Sequence, residues 1–138
     1  MRKGIFILSF LTFCFSAHSQ DWIYVSHTSD GDKWYFRSNY LSKESFLGRD
    51  NVIKIWLKCT HKKQIINKKV YENGYTLELC AFDCKSNQVS LVTYVDYNFN
   101  GEVIDSNDAY DTGWKYMVPG SIMETVMGKV CQYFITNK

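Results

Sequence analysis

Residues 119–134 constrain the rest of the chain most, because they read as its one confident amphipathic helix after the first twenty residues. Ser121 followed three residues later by Glu124 is a capping box, and Pro119-Gly120 just before it breaks whatever came earlier. Ile122, Met123, Val126, Met127, Val130, Cys131 and Phe134 recur at three- and four-residue spacing and form one apolar stripe. Glu124, Thr125, Gly128, Lys129 and Gln132 lie on the other side. Such a stripe needs a surface to bury itself against. Residues 22–118 read as short strands, so the expected partner is a β-sheet, and Cys131 at the edge of the stripe is placed to be bonded to it.

The chain begins with Met1-Arg2-Lys3, an apolar run from Ile5 to Phe15, and the small-x-small site Ala17-His18-Ser19. This is the pattern of a secretory signal peptide over residues 1–19, with cleavage expected after Ser19. The apolar run is about half of the ~20 residues a membrane span requires, so no transmembrane segment is expected. Lipidation at Cys14 is disfavoured, because bulky Phe13 precedes it where a small residue is wanted. The whole chain has 16 basic and 14 acidic residues. Removing Arg2 and Lys3 with the signal leaves 14 against 14, which gives no general attraction to nucleic acid. Residues 20–138 are expected to form one domain with a single core.

Of five cysteines, Cys14 leaves with the signal and Cys59, Cys80, Cys84 and Cys131 remain. An even number in a small exported domain points to two disulfides. Three pairings exist. Cys84 with Cys131 and Cys59 with Cys80 is preferred, since the first ties sheet to helix and the second joins neighbouring strands. In the loop-entropy picture they contribute about 4 and roughly 3 kcal/mol.

Trp22 to Val25 and Trp34 to Phe36 are expected as the first two strands, with Asp30-Gly31 between them as a hairpin signal of the primed-turn kind. Asn39 to Asn51 is polar and irregular and reads as a loop. Val52 to Cys59 alternates, with Ile53, Ile55, Leu57 and Cys59 against Val52, Lys54, Trp56 and Lys58. Tyr75 to Phe82, Val89 to Tyr97 and Glu102 to Ile104 follow as strands, and Trp114 to Val118 as an edge strand. Short connections favour an antiparallel meander over parallel crossovers. The fold class expected is therefore α+β, an antiparallel sheet of about six strands packed against one C-terminal helix.

Several stretches imitate chemistry. Asp96-Tyr97-Asn98-Phe99-Asn100-Gly101 matches the first half of a calcium loop, but the closing Glu position is Asn107 and the flanks are strands, so a hairpin turn explains it better. Cys59, His61, Cys80 and Cys84 are legitimate zinc ligands at poor spacing. No nucleophile elbow, His-Glu-x-x-His or glycine-rich phosphate loop occurs, so neither catalysis nor a cofactor is expected. Charge placement says more. Lys54, Lys58, His61, Lys62, Lys63, Lys68 and Lys69 fall close together, whereas residues 96–111 carry five acids and no base. A basic loop steers an oppositely charged partner, and Lys58, Lys62, Lys63, Lys68, Lys69 and Tyr71 are the candidate contact residues. The duller reading makes both segments solvated hairpin tips.

Trp22, Trp34-Tyr35-Phe36, Val52 to Lys58 with Trp56, Asp83-Cys84, Tyr97 with Asn100-Gly101, Trp114, Pro119-Gly120-Ser121 and a terminal helix bearing Cys131 follow in an order that resembles the bacterial surface-adhesin protein E family. The resemblance spans nearly the whole chain after the signal. It implies a small antiparallel sheet with the C-terminal helix tied to it by Cys84 and Cys131, and export to the envelope. It also implies adhesion to host cells and matrix proteins. Cys59 and Cys80 lie outside that pattern. The expected function is a non-catalytic envelope binding protein contacting host-cell or extracellular-matrix proteins, located in the periplasm, at the outer-membrane surface or outside the cell. The alternative is a periplasmic inhibitor or immunity-type protein that blocks a partner enzyme. Exposed strand edges also make a homodimer feasible.

Overall fold

The computed structural model describes residues 22–40, 42–108 and 113–137. The expected signal peptide over residues 1–19, with Cys14, lies outside them. In chain order the strands are β1 (Trp22–His27), β2 (Lys33–Arg37), β3 (Ser42–Phe46), β4 (Arg49–Thr60), β5 (Lys63–Ile66), β6 (Lys69–Glu72), β7 (Tyr75–Asp83), β8 (Gln88–Tyr97), β9 (Val103–Asn107) and β10 (Lys115–Tyr116). The helix α1 (Ile122–Thr136) closes the chain. Every strand pairing is antiparallel, in agreement with the expected α+β meander. The main sheet runs β1-β2-β4-β7-β8-β10. The long β4 shares one edge between β2 and β3, and β8 shares its outer edge between β9 and β10.

One local expectation is corrected. The segment read as a loop contains β3, whose Ser42, Lys43, Glu44 and Phe46 pair along β4 around a turn at Leu47-Gly48, both with positive φ. A polar edge strand has no apolar alternation to announce it. The β1–β2 hairpin is present as expected, its connection being the five-residue loop Thr28–Asp32. There Gly31 has φ +88° and its N–H donates to the Thr28 carbonyl at 3.0 Å.

Alternation along β4 places Ile53, Ile55 and Leu57 on one face, where they pack with Phe36, Cys80, Phe82 and Met117 beneath Val126, Met127 and Val130 of α1. The helix starts as expected at Ser121, whose Oγ accepts from the Glu124 N–H at 3.2 Å. Glu124 reaches back one residue further than a standard box and accepts from the Gly120 N–H at 2.7 Å. The turn after β7 is bonded to α1 by the Cys84–Cys131 disulfide. At the calcium-like stretch, Asn98 Oδ1 accepts from the Asn100 and Glu102 N–H groups, both at 2.9 Å, so its side chain serves the turn.

The expected Cys59–Cys80 disulfide is absent, and both are free, buried thiols. In the β4–β7 ladder Cys59 stands opposite Thr76, and Cys80 stands opposite Ile55. A four-residue offset along a strand is ~13 Å, beyond the ~7 Å Cα separation a disulfide can bridge. The four-ligand zinc set dissolves for the same reason. Cys84 is spent in its disulfide and Cys80 lies in the apolar core, so only Cys59 and His61 remain together.

Candidate functional site: a basic arm, an open sheet face and a buried polar cluster

The basic segment is not a loop but an arm. Beyond Thr60 and Tyr75 the β4–β7 ladder continues through His61 N–H to the Gly74 carbonyl at 2.9 Å and Asn73 N–H to the Lys62 carbonyl at 3.1 Å, and becomes β5–β6. Gly74 is required at the root, because a Cβ there would sit 2.5 Å from the Tyr97 carbonyl oxygen. The tip is Asn67-Lys68 with φ of 51° and 65°, the signs a two-residue primed turn demands.

Strand alternation puts Lys63, Ile65, Val70 and Glu72 on one side of the arm and Gln64, Ile66, Lys69 and Tyr71 on the other. Ile65 and Val70 stand opposite each other and are 68% and 54% exposed. Lys62, Lys63, Lys68 and Lys69 are exposed around them, whereas Tyr71 is half-buried. Lys58 lies apart from the arm. It is in the body of β4, with its ammonium 5.0 Å from the Tyr75 ring centroid and 5.8 Å from that of Trp22. Lys58 and Lys62 nevertheless meet in a depression of about 310 Å3 at the root of the arm, with Lys33, Tyr35 and Tyr75.

That depression opens onto the sheet face turned away from α1. The register places Tyr24, Tyr35, Trp56, Lys58, Tyr75, Leu77 and Tyr97 there. Tyr75 stacks on Tyr97 with centroids 4.7 Å apart, and Tyr24 meets Tyr35 edge-on at 5.6 Å. Aromatic rings with interleaved cations suit interfaces, since Tyr and Trp bury large area at little entropic cost. A cavity of about 700 Å3 lies elsewhere, beside the disulfide. Two of its lining charges pair with each other, Arg49 lying 2.7 Å from Asp83. Burial pushes the Asp83 carboxyl up, but the Ser86 hydroxyl, the Arg49 guanidinium and the Ser86 and Lys85 amides together hold it below its usual value.

On the helix-side face, past the end of the apolar core, a polar cluster has formed. His61 Nδ1 is 2.9 Å from Asp32 Oδ2 and 3.8 Å from Cys59 Sγ, and its Nε2 is 2.8 Å from Thr76 Oγ1. The Thr76 hydroxyl donates to Asp96, so it must accept from a protonated Nε2. Burial, with the charges of Asp32 and Glu78 beside it, pushes the Cys59 thiol up to about 12. At neutral pH it is therefore a thiol and not a thiolate nucleophile. Burial also raises the Glu78 carboxyl, as does the charge of Asp96, and His61 partly offsets both. The Cys59-x-His61 spacing hinted at this cluster, but nothing in the sequence placed Asp32, Thr76 and Asp96 beside it.

Fold and surface together define a small disulfide-tied sheet module with a projecting arm and an aromatic sheet face. The chain belongs to the surface-adhesin protein E family, whose sequence pattern matches residues 22–132. Membership implies a surface or exported, non-enzymatic protein. Among the described residues no helix is long and apolar enough to cross a membrane. Comparison with curated proteins and with solved structures finds no match.

Proposed function

We propose that this protein is an exported, non-catalytic adhesin whose arm and adjoining aromatic depression contact host-cell or extracellular-matrix proteins. The observation that carries the reading is the exposed Ile65–Val70 pair on an arm bearing Lys62, Lys63, Lys68 and Lys69. A cross-strand β-branched pair steadies any hairpin, and this one, more than half exposed and ringed by lysines, also supplies the apolar centre and charged rim of a contact surface. Ile65 and Val70 continue the face of Cys59 and His61, whereas Tyr71 lies on the other side of the arm with Lys58, Tyr35 and Tyr75, which offer a second contact surface at its root. Family membership favours this reading.

The test is capture of the purified chain by an immobilised panel of extracellular-matrix proteins across a salt series. Replacing Lys62, Lys63, Lys68 and Lys69 by Ser is expected to lower capture about tenfold or more at low salt and to flatten its salt dependence. Ile65→Ser with Val70→Ser should lower capture at every salt concentration. Capture unchanged by both sets removes the arm from the interface, and capture by no matrix protein overturns the adhesive reading.

A further inference from the structure

We infer that Asp32, Cys59 and His61 form a site for a divalent transition-metal ion of the zinc class. Cys59 and His61 are two residues apart where β4 ends, so alternation directs both to the same face. Asp32 comes from the β1–β2 loop and is held there by Thr28, whose Oγ1 accepts from the Asp32 N–H at 3.2 Å and whose N–H donates to the Asp32 carbonyl at 2.9 Å. The three ligand atoms all lie within 4.8 Å of one another, with Nδ1 to Oδ2 at 2.9 Å and Nδ1 to Sγ at 3.8 Å. Bonds of ~2.0–2.3 Å to a tetrahedral ion give ligand–ligand edges of roughly 3.3–3.8 Å. Small side-chain adjustments therefore admit the ion.

The outer hydrogen bonds point the same way. With Thr76 donating to Asp96, His61 Nε2 donates to Thr76, and Nδ1 is the ring nitrogen that faces Asp32 and Cys59; an ion bound there takes the place of the Nδ1 proton that otherwise donates to Asp32. A histidine held by its second nitrogen in a hydroxyl–carboxylate relay is the usual support of a metal ligand. Asp32, Glu78 and Asp96 surround a single histidine here, so a cation offsets carboxylates that face one another across a half-buried space. Binding of the ion displaces the Cys59 thiol proton to solvent, and the resulting thiolate with imidazole and carboxylate is a donor set for zinc in preference to calcium or magnesium. Asp32 also borders a surface depression of about 360 Å3 with Asp30, Lys62, Lys63 and Ile65, so the ligand set lies next to solvent on the Asp32 side.

The experiment is titration of the purified chain, with Cys84–Cys131 intact and Cys59 reduced, first with Zn2+ and then with Co2+ as a spectroscopic probe. One equivalent is expected to bind, with a cobalt–thiolate charge-transfer band in the near ultraviolet. Cys59→Ser should abolish the band, and His61→Gln should weaken binding more than about 100-fold. Thr76→Val touches no ligand atom and should weaken binding ~10–100-fold by releasing the ring. Asp32→Asn, in a half-exposed loop, keeps the fold testable if the strand variants do not fold, and should also weaken binding. No stoichiometric uptake, a band that survives Cys59→Ser, or an affinity unmoved by Asp32→Asn overturns the assignment.

Discussion

The two ends of one sheet face differ although the same strands build both. Along β4 the face carries Ile53, Ile55, Leu57 and Cys59, and along β7 it carries Phe82, Cys80, Glu78 and Thr76. At one end these residues meet Val126, Met127 and Val130 and form the core. At the other they meet His61, Asp32 and Asp96 and form a hydrogen-bonded cluster. Length explains the change. The 15-residue helix is ~22 Å long, whereas the 12-residue β4 extends ~40 Å, so one helix cannot cover the whole strand. Where the helix runs out, alternation continues but the cover changes, and polar side chains that satisfy one another replace hydrocarbon.

The contrast makes its largest prediction on β7. Phe82→Ala, at the fully buried apolar end, is expected to cost about 3–5 kcal/mol in denaturant unfolding. Thr76→Val, six residues away at the polar end, removes a relay hydroxyl and should cost roughly 1–3 kcal/mol. Equal costs would mean that the two ends are not energetically distinct. An effect between those two is expected at the covalent tie. Replacing both Cys84 and Cys131 by Ser opens a closure of 47 residues and should destabilise by ~2–4 kcal/mol. Because the tie holds the helix to the apolar end, protection of amides from hydrogen exchange should fall in α1 before it falls around His61. Simultaneous loss at both ends would break the comparison.

The apolar end was legible in the sequence because it obeys periods. The capping box at Ser121 and Glu124, the three-four stripe and the period of two in β4 each specify which side is buried. The Cys84–Cys131 tie followed from one cysteine at the stripe's edge and another at a turn. What was not legible depends on register and on edges. Cys59 and Cys80 looked like neighbours until the ladder showed them four residues out of step. β3 pairs through its backbone while its side chains are polar, so pattern alone reads it as loop. Lys62, Lys63, Lys68 and Lys69 announced a basic segment, but that it continues the β4–β7 ladder in unbroken register is a property of two distant stretches together.

Glu78 lies at the boundary between the two ends, opposite Leu57 on one side and Tyr94 on the other, and it supplies the smallest and most local prediction. Burial and the charge of Asp96 raise its carboxyl above the ordinary value of 4.5, against a lowering by His61. For an acid raised in the folded state, the native chain holds the proton longer than the unfolded chain does, so stability falls as pH rises above 4.5 through the folded pKa. Below 4.5 both states are protonated and this penalty is absent. Glu78→Gln cannot ionise, so in metal-free buffer it should gain stability over the parent as pH rises through that window and lose the gain in acid. Denaturant midpoints measured for both chains from pH 4 to pH 8 read this directly. A gain that grows toward acid would place Glu78 with the paired, charge-stabilised carboxylates of the polar end, and the boundary between the two halves would then lie closer to Leu57.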